Sequence, residues 1–465
     1  MTTSDTSSLP FSSLALTPEL LDTIQSLDYH SMTPIQAQSL PVILKGKDIL
    51  AQAKTGSGKT AAFAIGILQQ LDIRNYQTQA LVLCPTRELA DQVSKEIRQL
   101  ARAMPNTNIL TLCGGKPMGP QLASLERNPH IVVGTPGRIL KHLEKGTLQL
   151  DALKILVLDE ADRMLDMGFQ DEITSIIQRA PKQRQTLLFS ATYPDEIKAI
   201  SQSIQNKPVD IRIESLHDDV KIKQVFYEIE KNQRDSTLIA LLQHYQPESC
   251  VVFCNRKQQC QEVADELNRH GFHALALHGD LDQRDRDEVL VRFVNKSTSI
   301  LTATDVAARG LDIKDLPAVI IYEVSPDPEI HIHRIGRTGR AGNEGLALSL
   351  FTPSEAAKII AIEEYQKSPA RIEDASSLTA SEVFSLEPAM DTLCIAGGRK
   401  DKVRAGDILG ALTANNSING KQIGKIDIFD KVSYVAVEHD VARQALKMLS
   451  EGKIKGRKFR VRRLK

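Results

Sequence analysis

Short runs of Val, Ile and Leu alternate with longer amphipathic stretches through the first half of the chain. Such runs are typical of strands buried on both faces of a parallel sheet. They predict strands at residues 48–51, 80–84, 108–112, 131–134, 155–158 and 185–190, with helices at 59–71, 88–104 and 171–179. Strands and helices that alternate in this way indicate a doubly wound α/β domain.

A second series of apolar runs begins near residue 223. It predicts strands at 224–229, 250–254, 274–277, 299–303, 318–323 and 345–351. Between the two series, residues 206–219 contain Pro208 and a polar stretch, which we interpret as a hinge. Two tandem α/β domains of this kind suit a ligand that controls closure of a cleft.

The pattern changes in the last hundred residues. Residues 368–388 contain Pro and Ser and read as a linker. After them, strands are predicted at 392–395, 424–428, 433–438 and 458–463, with helices at 405–412 and 441–450. This βαββαβ order is that of an RRM-like, ferredoxin-type α+β domain.

Charge is divided unevenly along the chain. The 465 residues carry 58 basic and 58 acidic side chains, but residues 389–465 hold 17 basic and 8 acidic ones, a net +9. The remaining 41 basic and 50 acidic residues give −9. Residues 453–465 contain eight basic residues, interleaved with Phe459, Val461 and Leu464. Such interleaving favours a folded polyanion-binding module over a solvated basic terminus.

Other features exclude whole classes of protein. A hydrophobic content of 42% is ample for packed cores and excludes a disordered chain. The six cysteines form no CxxC pair, which favours buried, reduced thiols over a zinc site. The first ten residues lack the apolar core of a signal peptide, and no apolar run approaches the ~18 residues of a membrane helix. We expect a soluble, cytoplasmic protein with no membrane partner.

A glycine-containing loop lies between a predicted strand and a predicted helix. Gly56 and Gly58 permit tight turns whose amides, with the helix N-terminus, can hold phosphates. Lys59 would reach the β- and γ-phosphates and Thr60 would bind Mg²⁺. The alternative is a plain glycine turn, since Ala53 replaces the first glycine of the general pattern. The complete candidate loop is Ala53, Lys54, Thr55, Gly56, Ser57, Gly58, Lys59 and Thr60.

Acidic residues follow the predicted strand at 155–158. Asp159, Glu160 and Asp162 would project at the carboxyl end of a parallel strand, where α/β sheets bind their ligands. Carboxylates there can hold Mg²⁺ and orient a water molecule. A solvated acidic turn is the alternative, and the phosphate loop upstream favours nucleotide hydrolysis.

Further short motifs accompany these two in a fixed order. They are TPIQ (33–36), PTRELA (85–90), GG (114–115), TPGR (135–138), DEAD (159–162), SAT (190–192), VFCN (252–255), TDVAARGLD (304–312) and HRIGRTGR (333–340). With the phosphate loop, this series resembles the full motif set of the DEAD-box RNA helicases, from about residue 11 to 350. The resemblance implies that the two tandem α/β domains are RecA-like doubly wound parallel-sheet domains, and the RRM-like domain predicted from the βαββαβ order follows them. The expected boundaries are 1–212 (with the Q motif), 213–367, the linker 368–388, and 389–465.

The resemblance also implies roles in the first domain. Tyr29 would stack on adenine, supported by Phe11, while Gln36 would read the adenine edge. Asp159 would hold Mg²⁺ through water, and Glu160 would position or deprotonate the attacking water.

In the second domain, Asp312 would contact the ribose. Arg337 and Arg340 would act as arginine fingers that stabilise charge on the transferred phosphoryl group. The residues implied to couple hydrolysis to RNA binding are Ser190, Thr192 and His333.

RNA contacts implied by the resemblance come from both domains, through backbone amides, hydroxyls and arginines that suit phosphates and 2′-hydroxyls. They are Pro85, Thr86, Arg87, Gly114, Gly115, Thr135, Pro136, Gly137, Arg138, Asn255, Arg256, Gly279 and Thr304. Arg256 stands where the family usually has Thr. It either adds a phosphate contact or faces solvent.

The basic C-terminal module resembles the RNA-binding domain of the DbpA group of bacterial helicases. The matching segments are 406–412, 423–426, 434–438, 442–446 and 452–458. Ordinary RRMs stack bases on aromatic residues of two strands, but here Tyr434 alone is available, so a basic surface is the better candidate. Its candidate residues are Lys453, Lys455, Arg457 and Lys458. The alternative is polyanion affinity without selectivity.

The resemblance to that group implies recognition of a hairpin in large-subunit (23S) ribosomal RNA of pre-50S particles. We therefore expect a monomeric, RNA-stimulated ATPase that uses ATP and Mg²⁺ to unwind short RNA duplexes locally during ribosome assembly. An ATP-gated RNA clamp needs the same motifs and stays an alternative. A DNA helicase is disfavoured by the motif set.

Overall fold

A computed structural model describes residues 9–53, 56–192, 195–213, 222–308, 316–339, 344–378, 386–414 and 418–464. These residues form two compact units, one from 9 to 213 and the other from 222 to 464. No helix among them is both long enough and apolar enough to cross a membrane.

The first unit is built on a parallel sheet that has seven strands within the described residues, in the order β3-β4-β2-β5-β6-β1-β7. The strands are β1 (Ile49–Gln52), β2 (Ala80–Leu83), β3 (Ile109–Leu112), β4 (Ile131–Gly134), β5 (Ile155–Leu158), β6 (Gln185–Ser190) and β7 (Val209–Arg212). The helices are α1 (Pro18–Ser26), α2 (Pro34–Ile43), α3 (Lys59–Gln70), α4 (Arg87–Leu100), α5 (Met118–Leu125), α6 (Pro136–Glu144), α7 (Ala161–Asp166), α8 (Gln170–Gln178) and α9 (Asp195–Ile204).

This sheet has a hydrophobic core on each face. Val82 and Val157 point into one core, whereas their neighbours Leu81 and Leu156 point into the other. Successive side chains of a strand face opposite ways, so a strand covered on both sides must be apolar throughout. This explains why uninterrupted apolar runs mark the strands in the sequence.

The second unit begins with another parallel sheet, whose seven strands in the described residues follow the order β10-β11-β9-β12-β13-β8-β14. The strands are β8 (Ile222–Glu228), β9 (Cys250–Phe253), β10 (Ala274–Leu277), β11 (Ile300–Ala303), β12 (Ala318–Ile321), β13 (Gly345–Phe351) and β14 (Ile372–Asp374). The helices are α10 (Arg234–Tyr245), α11 (Lys257–Arg269), α12 (Gln283–Val294), α13 (Asp305–Ala308), α14 (Pro328–Ile335) and α15 (Ala356–Gln366).

The same unit ends in a small antiparallel sheet with the order β16-β17-β15-β18. Its elements are β15 (Met390–Ile395), α16 (Ala405–Thr413), β16 (Ile423–Ile428), β17 (Ser433–Glu438), α17 (Ala442–Glu451) and β18 (Val461–Arg463). Leu393 and Val435 point from this sheet into the core shared with α16 and α17. Two parallel-sheet RecA-like domains and an RRM-like α+β domain confirm the predicted fold class.

Two stretches without predicted structure contain strands. In the hinge predicted at 206–219, Val209–Arg212 forms β7, which runs parallel to β1 at the edge of the first sheet. Only Ile211 of this strand is buried, so its apolar signal is weak. In the linker predicted at 368–388, Ile372–Asp374 forms β14 beside β8. Residues 214–221 and 379–385 lie outside the described part of the chain.

The other face of the small sheet packs against α12 of the neighbouring α/β domain. Val291 on α12 forms a buried cluster with Cys394, Tyr434 and Leu464. At the edge of this cluster, Arg462 makes an ion pair with Glu288 of α12 at 2.7 Å. The face on which ordinary RRMs stack bases is therefore covered by protein.

Candidate functional site

The predicted phosphate loop joins β1 to α3. Gly56 and Gly58 have φ values of 83° and 95°, in the left-handed region that favours glycine. A Cβ atom on Gly58 would lie 2.5 Å from Nε2 of Gln36, so a larger residue would displace the Gln36 amide. The buried ammonium of Lys59 donates a hydrogen bond to the carbonyl oxygen of Ala53 at 2.8 Å. Lys54 and Thr55 lie outside the described residues.

The residues predicted to bind adenine adjoin this loop. Gln36 lies in the first turn of α2 and is buried. Its Oε1 accepts from the backbone N–H of Thr33 at 2.9 Å, and its Nε2 donates to the carbonyl of Gly58 at 3.1 Å. Nearby, the rings of Phe11 and Tyr29 stack with centroids 6.3 Å apart. Phe11 therefore packs against Tyr29, the residue proposed to stack on adenine.

Asp159 lies directly after β5, where its backbone N–H donates to the carbonyl of Leu83 on β2 at 3.0 Å. The side chain is 2% exposed, and its Oδ1 has no hydrogen-bond partner among the described residues. Burial raises the pKa of Asp159 to about 7. The positive charge of Lys59 lowers this pKa, whereas the negative charge of Glu160 raises it. A buried carboxylate oxygen of this kind fits a Mg²⁺ site.

Glu160 begins α7 with left-handed backbone angles, φ 53° and ψ 53°. A non-glycine residue in this region costs roughly 1–3 kcal/mol and persists where the surroundings fix it, often at functional sites. The side chain is 4% exposed, and its Oε2 lies 3.7 Å from Nε of Arg163. The carboxylate is therefore buried beside Arg163, at the end of the sheet that carries the phosphate loop.

The end of β6 and the residues after it are bonded both to the acidic motif and to the phosphate loop. Asp162 Oδ2 accepts three hydrogen bonds at 3.0 Å, from the backbone N–H groups of Ala191 and Thr192 and from the Thr192 hydroxyl. Ser190 accepts a bond from the N–H of Ala53 at 3.0 Å through its carbonyl oxygen. The acidic motif alone does not distinguish Asp162 from Asp159 and Glu160, because the partners of Asp162 lie some thirty residues along the chain.

The three RNA-contact segments predicted in the first domain meet at one edge of the sheet. They follow the adjacent strands β2, β3 and β4. Thr86 caps α4 by accepting from the N–H of Leu89 at 3.2 Å. Gly115 has a φ of 71°, and a Cβ atom there would lie 1.8 Å from Nη1 of Arg87. The arginine side chain thus lies against the Gly114-Gly115 turn.

The third segment starts α6. Pro136 occupies the first turn after Thr135, and the space around Gly137 is open. Arg138 donates from Nη1 to the carbonyl of Lys116 at 3.0 Å and to Oε1 of Gln121 at 2.9 Å. The structure therefore brings Arg138 onto the loop that carries Gly114 and Gly115.

In the second domain, the Asn255 side chain is engaged within the protein. Its Oδ1 accepts from Nη2 of Arg334 at 2.7 Å, and its Nδ2 donates to the carbonyl of Val324 at 3.3 Å. The buried Arg334 guanidinium also makes an ion pair with Asp305 at 2.7 Å. Arg334 is absent from the predicted site residues, since only the fold brings these motifs together.

Arg256 is largely exposed, with Nη2 3.8 Å from a carboxylate oxygen of Glu323. Gly279 follows β10 in open space, and Thr304 follows β11 with its N–H bonded to the carbonyl of Leu277 at 3.4 Å. Each of these positions lies at the carboxyl end of a strand of the second sheet or in the segment that follows one.

The predicted arginine fingers and their neighbours are partly described. His333 lies on α14 and Arg337 follows it, both half-buried. The carbonyl oxygen of Arg337 accepts from the N–H of Leu316 at 3.2 Å. Asp312 and Arg340 lie outside the described residues.

The predicted basic surface of the C-terminal domain lies between α17 and β18. Lys453, Arg457 and Lys458 are exposed. Lys455 is also exposed but is tied to its own domain, since its ammonium donates to the carbonyl of Lys402 at 2.9 Å. Arg463 makes an ion pair with Asp391 at 2.7 Å. The four predicted residues therefore lie exposed in the segment between α17 and β18.

Comparison with known proteins connects these sites to a family. The family model of the DEAD/DEAH box helicase matches residues 33–200, and that of the helicase conserved C-terminal domain matches 233–342. The ATP-dependent RNA helicase DbpA of Escherichia coli is 56% identical over 463 residues, which cover 98% of this chain and 99% of that protein. The chain belongs to the DEAD-box ATP-dependent RNA helicases. The predicted family and the RNA helicase and ATPase activities are thereby confirmed.

Other relatives of this DEAD-box helicase support the same family assignment. CshA of Geobacillus kaustophilus is 42% identical over 358 residues, covering 77% of this chain and 76% of that protein. Saccharomyces cerevisiae Dbp5 bound to RNA and ADP BeF3 is 29% identical, with a TM-score of 0.72 and coverage of 79% of this chain and 96% of that chain. The DbpA RNA binding domain model matches residues 392–463. The helicase therefore binds RNA and carries a second, DbpA-type RNA-binding module.

Proposed function

We propose that this DEAD-box helicase is directed by its C-terminal domain to a hairpin of 23S rRNA in pre-50S particles, where it unwinds short duplexes locally. The observation that carries the proposal is the DbpA-type domain at 392–463, within a C-terminal segment of net charge +9. In this account the protein acts as a cytoplasmic monomer during assembly of the large ribosomal subunit. The proposed domain boundaries are 1–212, 213–367, the linker 368–388, and 389–465, with β14 of the linker segment added to the sheet of the second domain.

The phosphate loop is proposed to hold ATP through the backbone from Ala53 to Gly58 and through Lys59. The Lys59 ammonium now donates to a neutral carbonyl oxygen of Ala53. Exchange of that acceptor for a phosphate oxygen gives a stronger, charge-assisted bond. Tyr29 is proposed to stack on the adenine ring, and Gln36, which already contacts the loop, is proposed to read its edge.

Thr60 and Asp159 are the residues that would hold Mg²⁺, and the ion would neutralise charge on the β- and γ-phosphates. The buried, unpartnered Oδ1 of Asp159 supports this assignment. A carboxylate in so dry a site gains a counter-charge when a cation binds, which favours its ionised form.

Glu160 is proposed to orient the attacking water and accept its proton, since its backbone is fixed at the start of α7. Asp312 is proposed to contact the ribose. Arg337 and Arg340 are proposed to stabilise charge on the transferred phosphoryl group, a contribution worth about 10³–10⁵ in rate.

The proposed coupling path runs through the segment after β6. Ser190, the last residue of β6, is bonded to Ala53 of the phosphate loop, and Thr192 is bonded to Asp162 in the motif that carries Glu160. A displacement of the phosphate loop would therefore also displace the acidic motif, and the reverse. His333, on α14 of the second domain, is proposed to extend the coupling there.

The helicase core is proposed to bind the RNA backbone without reading its sequence. Hydroxyls, backbone amides and a few arginines suit phosphates and 2′-hydroxyls. Selection of the target is assigned to the C-terminal domain. Because its sheet face is covered by α12, the proposed reading surface is the exposed turn with Lys453, Arg457 and Lys458, beside Lys455.

The ATP-site assignment is tested by Glu160→Gln. This variant keeps the shape and polarity of the side chain but removes its basic carboxylate. We expect ATP and RNA affinity to stay within about twofold, while turnover falls by about 10²–10⁴. Glu196→Gln, a change of the same kind on the exposed first turn of α9, serves as the control. Normal turnover by Glu160→Gln would refute the assigned role.

The RNA-reading surface is tested in the full-length chain, because deleting the domain would expose Val291 on α12. In the triple variant Lys453→Gln/Arg457→Gln/Lys458→Gln, the log-log salt dependence of hairpin binding should flatten by about 0.7–0.9 for each phosphate that is no longer neutralised. The control replaces three other exposed cations of the domain, Lys431, Arg443 and Lys447, by Gln. Equal flattening in both variants would contradict the assigned surface.

A further inference from the structure

A buried glutamine joins two of the proposed RNA-binding segments of the first domain. Gln121 lies on α5 and is 6% exposed. Its Nε2 donates to the carbonyl of Cys113 at 3.0 Å, at the start of the Gly114-Gly115 loop. Its Oε1 accepts from Nη1 of Arg138 on α6 at 2.9 Å. One amide group thus bonds the loop and the arginine at the same time.

The imidazole ring of His142 also contacts the side-chain amide of Gln121. It lies one turn after Arg138 on α6 and is fully buried. Its Nε2 is 3.0 Å from Oε1 of Gln121. An amide oxygen only accepts, so Nε2 must carry the proton; Nδ1 lies 2.9 Å from the Thr147 hydroxyl, which is also 3.1 Å from the carbonyl oxygen of His142.

The charge state of His142 agrees with this arrangement. Burial lowers the pKa of His142, and the positive charges of Arg138 and Lys145 lower it further. The ring is therefore neutral near pH 7 and provides a single donor toward Gln121. Oε1 of Gln121 has two lone pairs, so it accepts from the His142 ring and from the Arg138 guanidinium together.

Arg138 is fixed at a second point of the same loop. Its Nη1 also donates to the carbonyl of Lys116 at 3.0 Å, just after Gly115. On the opposite side, the Arg87 guanidinium lies against Gly115. The loop from 113 to 116 is thus bonded at both of its ends, through Gln121 at one end and Arg138 at the other.

We propose that Gln121 is a positioning residue for RNA binding, which locks Arg138 onto the Gly114-Gly115 loop and is itself held by His142. The inference rests on the proposed assignment of Arg138 and this loop to RNA. An arginine with many rotamers loses conformational freedom when it binds a phosphate. Holding it beforehand in the binding geometry lowers that cost, so Gln121 raises affinity without touching RNA.

The test uses Gln121→Met, a near-isosteric side chain that can neither donate nor accept these bonds. Dissociation constants for single-stranded RNA are measured with the full-length chain and a non-hydrolysable ATP analogue. We expect about tenfold weaker RNA binding, the effect of removing one hydrogen bond to a charged group. The KM for ATP should stay unchanged. Gln99→Met, on the exposed side of α4, is the matched control.

Gln121→Glu separates positioning from simple loss of packing. The glutamate keeps an oxygen that accepts from Arg138 and His142 but loses the amide that donates to the carbonyl of Cys113. RNA binding clearly tighter than that of Gln121→Met supports the proposal, since the charge-assisted bond to Arg138 is retained. A loss equal to that of Gln121→Met would overturn it.

A double-mutant cycle with Arg138→Ala completes the test. If Gln121 acts through Arg138, Arg138→Ala weakens RNA binding by about tenfold or more, and adding Gln121→Met then changes little. If Gln121→Met weakens RNA binding by the same factor in the Arg138→Ala variant as it does alone, the proposal is overturned. If Arg138→Ala itself binds RNA normally, the proposed RNA role of Arg138 fails, and this inference fails with it.

Discussion

Thr192 donates two hydrogen bonds to the Asp162 carboxylate, one from its backbone N–H and one from its hydroxyl, each 3.0 Å long. The acidic motif after β5 and the segment after β6 are joined by these bonds. Ser190, two residues earlier, accepts from the N–H of Ala53 through its carbonyl oxygen. The phosphate loop, the acidic motif and this segment therefore form one bonded unit at the end of the first sheet.

We predict that Thr192→Val lowers RNA unwinding more than ATP hydrolysis. Valine keeps the shape and the backbone bond but removes the hydroxyl donor, at a cost of about 1.5–3 kcal/mol for a bond to a charged group. Base pairs separated per ATP hydrolysed are measured by strand displacement with parallel phosphate release. Thr174→Val, which removes an exposed hydroxyl on α8, is the control. An unchanged ratio for Thr192→Val would contradict the proposed coupling.

A second prediction concerns the packing of the C-terminal domain on α12. Val291 is 6% exposed and shields Cys394 of β15. Val291→Lys would bring a charge into this apolar cluster and should separate the two surfaces. We expect Cys394 to react with a thiol reagent at least ~10-fold faster, because both its exposure and its ionisation would rise; burial now raises its pKa.

The control for this experiment lies on the same helix. Val294, three residues later, is 43% exposed, so Val294→Lys should leave Cys394 protected. Mass spectrometry of the labelled chain identifies the modified cysteine. Equal labelling of Cys394 in both variants would show that α12 does not cover the small sheet.

The sequence predicts most strands because their side chains are buried on both faces. The predicted and observed bounds agree for Ile131–Gly134 and Ile155–Leu158, since nothing polar interrupts these apolar runs. The edge strand Val209–Arg212 instead falls within the predicted hinge. It buries one side chain, Ile211, and its remaining residues do not differ in character from a loop.

Contacts between distant motifs could not be predicted from local patterns. Asp162 and Thr192 each belong to a recognisable motif, but their bond depends on β5 lying beside β6. The packing of the small sheet on α12 likewise could not be predicted from local patterns. The sequence shows that β15 lacks aromatic residues for stacking, yet only the structure shows that Val291 covers that face.

A third prediction concerns pH and the second unit. His331 on α14 is 1% exposed and stacks on Phe226 with ring centroids 5.6 Å apart. Burial, together with the charge of Arg334, lowers the pKa of His331 to about 4. The unfolded chain takes up this proton near pH ~6.5, so the folded state loses stability as the pH falls from about 6.5 to about 4.

The expected loss is about 2–3 kcal/mol between pH 7 and pH 4.5, at about 1.36 kcal/mol per pKa unit. His331→Leu should remove this part of the pH dependence, as measured by urea unfolding at both pH values. His273→Leu, at an exposed position before β10, should not. If the His331→Leu chain loses as much stability on acidification as the unchanged chain, burial of His331 has no such effect.

The central claim is that the C-terminal domain delivers this DEAD-box helicase to 23S rRNA. The direct test is the RNA-stimulated ATPase of the full-length chain, compared between a set of 23S rRNA hairpin fragments and the same RNAs with scrambled sequence. For one fragment, the kcat/KM for RNA should be at least ~10³-fold higher than for the scrambled form of that fragment. This factor is the lower end of the range by which specific binding to nucleic acid exceeds non-specific binding. The triple variant at Lys453, Arg457 and Lys458 should lose most of this preference. Equal stimulation of the unchanged chain by every fragment and its scrambled form would contradict the account.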